Sequence, residues 1–444
     1  MSMANNKIEC YHELDKFLDT LKSFDVSYNP FLSYAFLSVY LKYYPKGNFY
    51  FFNVYEDDRL IAIIPFECTF ESKVLNIKKF RFIGYRQFNY EQYICDDKDM
   101  DKIHNVFMTY LEQQKYSVVL NVYDINNVSP LYNILDKEKR ANKKLALYSC
   151  PCLHFTESFE DFFKTVYTSS KKRSELKKFQ KKVADLGDFK IINIEDKASY
   201  DANITYLNQI YKVHSERFAG VYATSFFGSE KMRPYYSDLI RSLMYGEKGH
   251  ISLLILDEVV IAFIFCLTNG KVLIDWIPAF DPAFAKYSLG IVQYKMLFEE
   301  ICNQGKYELF DYSKGSSVYK RKWAKEETIN FQFLINLSRW NPFAWLLYVI
   351  DKAKFSFKVY LRNKGVLSLV KHKLGELLSF VHRDKKIAST LKIKTIASQE
   401  ESAFKFNYSE LNDLPVENRE AILSALYQGR KVISVSKDEI VFAE

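Results

Sequence analysis

Two short apolar runs around an acidic turn recur along the chain. Residues 54–66 read VYEDDRLIAIIPF and residues 254–266 read LILDEVVIAFIFC. β-Branched and aromatic residues on either side of a tight polar turn predict a β-hairpin in each. Asp57 matches Asp257 and Ile61-Ala62 matches Ile261-Ala262 at an offset of 200, and Lys-Val-Leu follows each hairpin, at 73–75 and 271–273.

The likeness continues downstream. KIHNVFMTYLEQQKYSVVLNVYD (102–124) parallels LGIVQYKMLFEEICNQGKYELFDYS (289–313), where apolar residues at helical spacing give way to Lys-Tyr and then to a strand. Lys115-Tyr116 answers Lys306-Tyr307 at an offset of 191, so the first copy holds nine extra residues. Two diverged copies of a strand–hairpin–strand–helix–strand unit account for this, against chance likeness of two apolar hairpins.

Between the copies, SFEDFFKTVYTSSKKRSELKKFQKKVADLG (158–187) is patterned as a helical connector that stops at Gly187, and 201–219 and 231–245 also have helical spacing. After residue 337 the pattern becomes basic, aromatic and helix-prone. From about residue 400 it predicts a helix over 416–428 and a hairpin turning at Lys437-Asp438. The expected fold class is α+β (mixed α/β). Its parts are a first unit over 1–150, a connector and second unit over 151–337, a basic helical extension over 338–398, and a small helix-hairpin piece over 399–444.

Composition sharpens this picture at three points. With 444 residues, 48% hydrophobic and 26% charged, the chain has the make-up of a soluble globular protein of several domains. The start, MSMANNKIECYHELDKF, has no basic region followed by an apolar one, and NPFAWLLYVI is interrupted by Asp351-Lys352 before it can span a bilayer. Seven cysteines form no CxxC pair and seven histidines give no zinc-site spacing, so a reduced cytoplasmic protein without a metal is expected.

The charge is unevenly spread. Residues 339–394 carry 13 Lys/Arg against three acids, a local +10, while the whole chain is only +8. Such a basic, aromatic segment either lies on anionic lipid or is a helical extension packed on the core. Seven further positive charges (Lys171, Lys172, Arg173, Lys177, Lys178, Lys181, Lys182) crowd one helix, as a solvated face or as a contact for phosphates. DNA is not an expected partner.

Two stretches could carry chemistry. Tyr287-Ser288-Leu289-Gly290 opens a helix, with Ser288 as N-cap and Gly290 in the first turn; unpaired N–H groups there suit a pyrophosphate, although capped helices with an early glycine are also common. The second is FDYSKGSSVYKRKWA (310–324), where a strand runs into Asp311-Tyr312, breaks at Gly315, and sets Tyr319-Lys320 one helical turn from Trp323. His214 and Arg217 stand one turn apart, as acceptor contacts or as a structural pair.

The order of these pieces resembles the GNAT acyltransferase superfamily, in its CelD/BcsL-like branch. The likeness rests on Ser288-Leu289-Gly290, Phe310-Asp311-Tyr312, Gly315 and Tyr319-Lys320-Arg321-Lys322-Trp323, supported by NPFLSYAFLSVY (29–40), LIAIIPF, FRFIGYRQFNYEQYI (80–94) and VHSERFAG (213–220), over roughly 25–335. Tandem units on one chain are also similar to the Fem-type aminoacyltransferases of cell-wall synthesis, in which an aromatic-Lys pair stabilises a charged intermediate, as Tyr319-Lys320 would here. Those enzymes often carry a long coiled-coil arm that this chain lacks, so tRNA is not an expected partner.

The resemblance implies a function. Strands 271–279 and 307–312 should be parallel and splay apart around the pantetheine arm of acetyl-CoA or another acyl-CoA, whose diphosphate rests on residues 287–290. Lys320 would stabilise the oxyanion, with Asp275 or Asp311 accepting the amine proton. Tyr319 would act in catalysis beside Lys320, and Tyr312, Trp323, His214 and Arg217 would line the substrate. The expected activity is N-acylation of an amino sugar, nucleotide-sugar or lipid-linked glycan in envelope polysaccharide synthesis. The alternatives are an aminoacyl-tRNA-dependent transferase acting on a peptidoglycan precursor, and a non-catalytic scaffold at the membrane surface.

Overall fold

The structure, a computed structural model, describes residues 6–24, 29–84, 87–138, 141–155, 158–219, 227–315, 317–337, 341–363, 392–396, 407–435 and 439–443. Its strands, in chain order, are β1 (Asn6–Tyr11), β2 (Phe49–Glu56), β3 (Arg59–Ser72), β4 (Ile77–Phe82), β5 (Ile94–Cys95), β6 (Ser117–Asn126), β7 (Ala141–His154), β8 (Phe189–Ile194), β9 (Gly249–Leu256), β10 (Val259–Asn269), β11 (Val272–Phe280), β12 (Leu309–Asp311), β13 (Glu326–Asn336), β14 (Lys392–Ile396), β15 (Lys431–Val435) and β16 (Glu439–Ala443). Contacts divide the chain into two compact units. Unit 1 is Met1–Leu153 with Asp311–Leu367, and unit 2 is His154–Phe310 with Ser368–Glu444.

The duplicated hairpins are both present. β2 and β3 turn at Asp57-Asp58 (φ 46° and 62°), and β9 and β10 turn at Asp257-Glu258 (φ 48° and 64°). Two central residues with positive φ are what a two-residue hairpin loop needs to match the strand twist, and aspartate, which fills three of these four positions, tolerates that conformation better than most side chains. A register shift interrupts each ladder close to its turn, between Val54 and Tyr55 and between Val260 and Ala262.

In unit 1 the strands lie in the order β1-β2-β3-β4-β6-β13-β7, with β5 against β3. The chain returns at Asp311 to insert β13 antiparallel to both neighbours, Asn330 facing Asn126 and Thr328 facing Cys150. One face of the sheet packs rings, Phe52, Phe66 and Phe80 against Phe107 and one another, from the helix Met100–Glu112. β4 and β6 run parallel and pair at only four positions, from Ile77–Ser117 to Phe80–Leu120, before they part.

In unit 2 the order is β8-β9-β10-β11-β12. β9 and nearly all of β10 are buried, which is why VVIAFIFCL reads as an unbroken apolar run and β9 is apolar apart from the buried His250 and Ser252. The helix Leu289–Gln304 covers one face and packs on two helices, Phe159–Val166 and Ser170–Ala184. The expected single connector is thus broken after Val166, and Ser158 and Ser169 each cap one of the two helices. The helical stretch expected over 201–219 is likewise three short pieces, Lys197–Ala202, Ile204–Leu207 and Ile210–Arg217, parted at Asn203 and Asn208-Gln209.

The helix Val416–Tyr427 is where the pattern put it, and Ile422, Leu423 and Ala425 enter the unit 2 core. β15 and β16 form the expected hairpin, with β14 parallel on the far side of β16. Its turn at Lys437-Asp438 lies outside the described residues, as do residues 364–391 of the basic extension.

Candidate active site

β12 is three residues long beside a nine-residue β11, and Glu308 and Leu309 donate to the carbonyl of Lys271, at the start of that strand. Most of the β11 edge on that side therefore carries no strand among the described residues. In unit 1, beyond the point where β4 and β6 stop pairing, the Glu91 carboxylate accepts a hydrogen bond from the Tyr123 amide of β6 at 3.0 Å.

Beyond β11 the chain makes a turn, Pro282–Tyr287, into the helix Leu289–Gln304. Ser288 occupies the N-cap position but in a left-handed conformation (φ 52°), and its side chain makes no capping bond, contrary to its expected role. As at any uncapped helix start, the amides of Leu289 and Gly290 have no acceptor among the described residues, while those of Ile291 and Val292 bond back to Ser288 O. A Cβ on Gly290 would stand 3.1 Å from the Phe280 ring. Arg217 also lies against Phe280, its guanidinium carbon 4.6 Å from the ring centroid, with no carboxylate partner among the described residues. Two open amides at a helix start and an unpaired, half-buried arginine suit a diphosphate.

Tyr287 is used by the fold. It is buried, its hydroxyl donates to Leu423 O at 3.0 Å, and its ring meets that of Tyr427. The C-terminal helix is held there by Arg419, 1% exposed, which reaches Glu216 at 2.5 Å, Asp281 at 3.1 Å and Leu414 O at 2.7 Å. Beside Tyr427 a cavity of about 390 Å³ opens against the helix Ser170–Ala184, lined by Lys171, Glu175, Lys178, Phe179 and Lys182. The lysine-rich helix thus divides its charges: Lys177 pairs with Glu160 and Arg173 binds the Tyr167 and Thr168 carbonyls, whereas Lys171 and Lys178 have no acidic partner among the described residues.

Two other predicted residues of unit 2 are deeply placed. Asp275 on β11 is 2% exposed and accepts from the Tyr294 hydroxyl at 2.7 Å. His214 is ringed by Phe218, Phe227 and Phe263, and burial drives its pKa down to about 4, so it is neutral at physiological pH.

The remaining predicted residues fall in unit 1, within a cluster of buried charge. The Asp311 carboxylate accepts from the Tyr90 hydroxyl at 2.6 Å and from the Ser313 amide at 2.7 Å. Burial raises its pKa to about 6, against the opposing pull of Tyr90, the Ser313 amide and Lys320. The residue keeps some accessible surface while its carboxyl group is enclosed by protein. Lys320 is 8% exposed and donates to Tyr312 O at 2.5 Å and Lys314 O at 3.0 Å, which fixes its ammonium under the turn. Tyr312 and Trp323 are buried, and the Tyr319 ring stands 6.4 Å from that of Tyr312.

Four partners in this cluster were not singled out from the sequence: Tyr90, Glu91, Asp124 and Lys314. Lys314 reaches Asp124 Oδ2 at 2.6 Å and Phe88 O at 2.7 Å. Burial and then the Asp124 charge push the Glu91 pKa well above the carboxylate range. Tyr90 (φ 61°), Asp124 (φ 53°) and Ser313 (φ 51°) all adopt left-handed backbone, and Asn29 holds the Tyr90 carbonyl. Strained backbone gathered around buried charge marks a place that the rest of the fold over-determines.

Among the described residues, no group of acidic, His and Cys side chains is placed to hold a metal, and no helix is long and apolar enough to cross a membrane. Residues 170–321 match the family model described as acetyltransferase (GNAT) domain. Among curated proteins none matches the sequence. Solved structures similar to the chain include FemX, at 9% identity and TM-score 0.47, covering 77% of this chain and 100% of that one. L-PGS from Bacillus licheniformis is similar at 14% identity and TM-score 0.44, covering 76% and 96%. A tandem GNAT protein from the clavulanic acid biosynthesis pathway is similar at 7% identity and TM-score 0.37, covering 75% and 99%. Residues 170–321 of this chain are thus a GNAT-type acyltransferase domain.

Proposed function

We propose that the protein transfers an acyl group from an acyl-CoA, acetyl-CoA being the leading donor, to an amino group of a sugar, nucleotide-sugar or lipid-linked glycan, in the cytoplasm at the inner face of the membrane. The observation that carries this reading is the edge of β11 that has no paired strand among the described residues, followed along the chain by the Leu289 and Gly290 amides, with Arg217 on Phe280. An extended pantetheine arm hydrogen-bonds along a bare strand edge, and its diphosphate takes the helix start. Lys171, Lys178 and Tyr427 give the nucleotide end a basic, aromatic groove.

The chemistry asked of the protein is modest. The acceptor nitrogen attacks the thioester carbonyl carbon, the carbon–sulfur bond breaks, and the thiolate leaves with the coenzyme. Asp311, the last residue of β12, takes the proton lost by the amine; with a pKa of about 6 it is mostly ionised at neutral pH and still basic enough to accept. Lys320 supplies fixed positive charge beside it, and Asp275, bonded to Tyr294, is the second candidate base.

A second reading keeps the fold and changes the donor to an aminoacyl-tRNA, favoured by the unpaired lysines on the helix Ser170–Ala184. Titration calorimetry separates the two. Acetyl-CoA or a longer acyl-CoA binds on the first reading, and charged tRNA binds in its place, with affinity falling steeply as salt rises, on the second.

A further inference from the structure

The helix Pro342–Asn363 docks on unit 1 by one line of residues and turns a different chemistry outward. Asn341 starts it, its side chain accepting from the Phe343 and Ala344 amides and donating to Leu75 O at 2.9 Å. Ala344 and Leu347 then pack on Ile77 and Val119 of β4 and β6, Tyr348 is buried, and Asp351 pairs with Lys79. Asn341, Ala344, Leu347, Tyr348 and Asp351 stand at i, i+3, i+6, i+7 and i+10, which puts them on one side of the helix.

On the opposite stripe stand Phe343, Leu346, Ile350, Phe357 and Tyr360, which are 50%, 47%, 38%, 62% and 57% exposed. Their intervals of three, four, seven and three residues also describe one face of a helix. Trp345, 59% exposed, and the exposed Lys352 flank this face on one side, and Lys354 flanks it on the other. Large apolar side chains that a soluble protein would ordinarily cover are here set out in a row and edged with lysine.

We propose that this face lies in the surface of an anionic membrane. A helix of this length is about 33 Å long, but the charges within it exclude a span. An interfacial helix, by contrast, needs an apolar face sunk below the headgroups, an aromatic at the boundary, and lysines that reach sideways to lipid phosphates. Phe343, Leu346, Ile350, Phe357 and Tyr360 supply the first, Trp345 the second, and Lys352 and Lys354 the third. The surrounding +10 over residues 339–394 adds attraction of the right sign. The stripe on β4 and β6 fixes the helix, so the membrane would bind a preformed surface. This inference stands whatever group the enzyme transfers.

The test uses the full chain and vesicles made of equal parts phosphatidylglycerol and phosphatidylcholine. Wild-type protein is expected to sediment with them and to release as salt rises. The triple variant Trp345→Ser, Phe357→Ser, Tyr360→Ser should lose partitioning by on the order of a hundredfold while its thermal melt stays unchanged, because these side chains are already exposed. Lys352→Glu with Lys354→Glu should lose binding to anionic vesicles. Brominated lipid should quench the part of the emission that Trp345→Phe removes. Sedimentation of the triple variant equal to wild type, or no quenching at Trp345 while the protein is vesicle-bound, would overturn the proposal. So would a self-association in solution that the triple variant abolishes, since the face would then be a contact between copies.

Discussion

Lys314 sets its ammonium 2.6 Å from Asp124 Oδ2 and 2.7 Å from Phe88 O, tying the segment after Asp311 to the end of β6 and to the segment after β4. Asp124 is buried, Glu91 lies close enough to feel its charge, and one Asp124 oxygen has no hydrogen-bond partner among the described residues. Lys314→Met should therefore leave a buried carboxylate uncompensated and cost about 3 kcal/mol of stability. Urea unfolding at pH 7 measures it; adding Asp124→Asn to the variant should recover part of the loss.

Asp311 gives the pH dependence. Its carboxyl holds a proton up to about pH 6 when folded but only to about 3.8 when unfolded, so between those values the native chain binds more protons. Stability thus falls as pH rises through this window, and the penalty is absent below it and complete above it. A shift of this size corresponds to about 3 kcal/mol, which Asp311→Asn should largely abolish in denaturation curves taken at pH 4 and pH 8.

The same group sets the expected rate profile. Activity needs the ionised form, so kcat/KM should climb with pH to a plateau above about 6. Tyr90 donates to this carboxylate and holds its pKa down, so Tyr90→Phe should move the acid limb to higher pH while sparing the plateau. Asp311→Asn should lower kcat by on the order of a hundredfold or more. An unmoved limb in Tyr90→Phe would assign it to another group.

At the donor end, Gly290→Val meets the Phe280 ring that carries Arg217. It should raise KM for the acyl-CoA far more than it lowers kcat, and Arg217→Ala should do the same by roughly tenfold to a hundredfold. Lys178→Glu should weaken coenzyme A more than it weakens an acyl-pantetheine that lacks the nucleotide, as initial-rate kinetics with both donors would reveal.

Arg419 serves the same turn from a distance. Arg419→Met would strand Glu216 and Asp281 without their shared cation, and a loss of about 3 to 5 kcal/mol follows. Proteolysis should then release the C-terminal helix before the rest of unit 2 unfolds.

The hairpins were legible because their information is local: Asp57-Asp58 and Asp257-Glu258 mark the turns, and the apolar runs on either side mark the strands. Asp311, Lys320 and Gly290 were singled out by their order in the chain, and their roles are proposals. Tyr90, Glu91, Asp124 and Lys314 were not, because Lys314 meets Asp124 across 190 residues and Tyr90 meets Asp311 across 221, and no periodicity encodes a buried charge cluster. The return of the chain at Asp311 was equally silent, since β13 reads as an ordinary strand whichever sheet receives it. Ser288 shows the limit of a cap rule: the residue type fits, but a left-handed backbone turns its side chain away from the amides it would cap.

Hydrogen–deuterium exchange of the full chain with and without acetyl-CoA tests the central claim most directly. A thioester carrier on the bare edge of β11 should slow exchange across Val272–Phe280 and at Leu289 and Gly290, with much less change at β2 and β3. Binding of acetyl-CoA that leaves the β11 amides and the Leu289–Gly290 turn exchanging as before would contradict it.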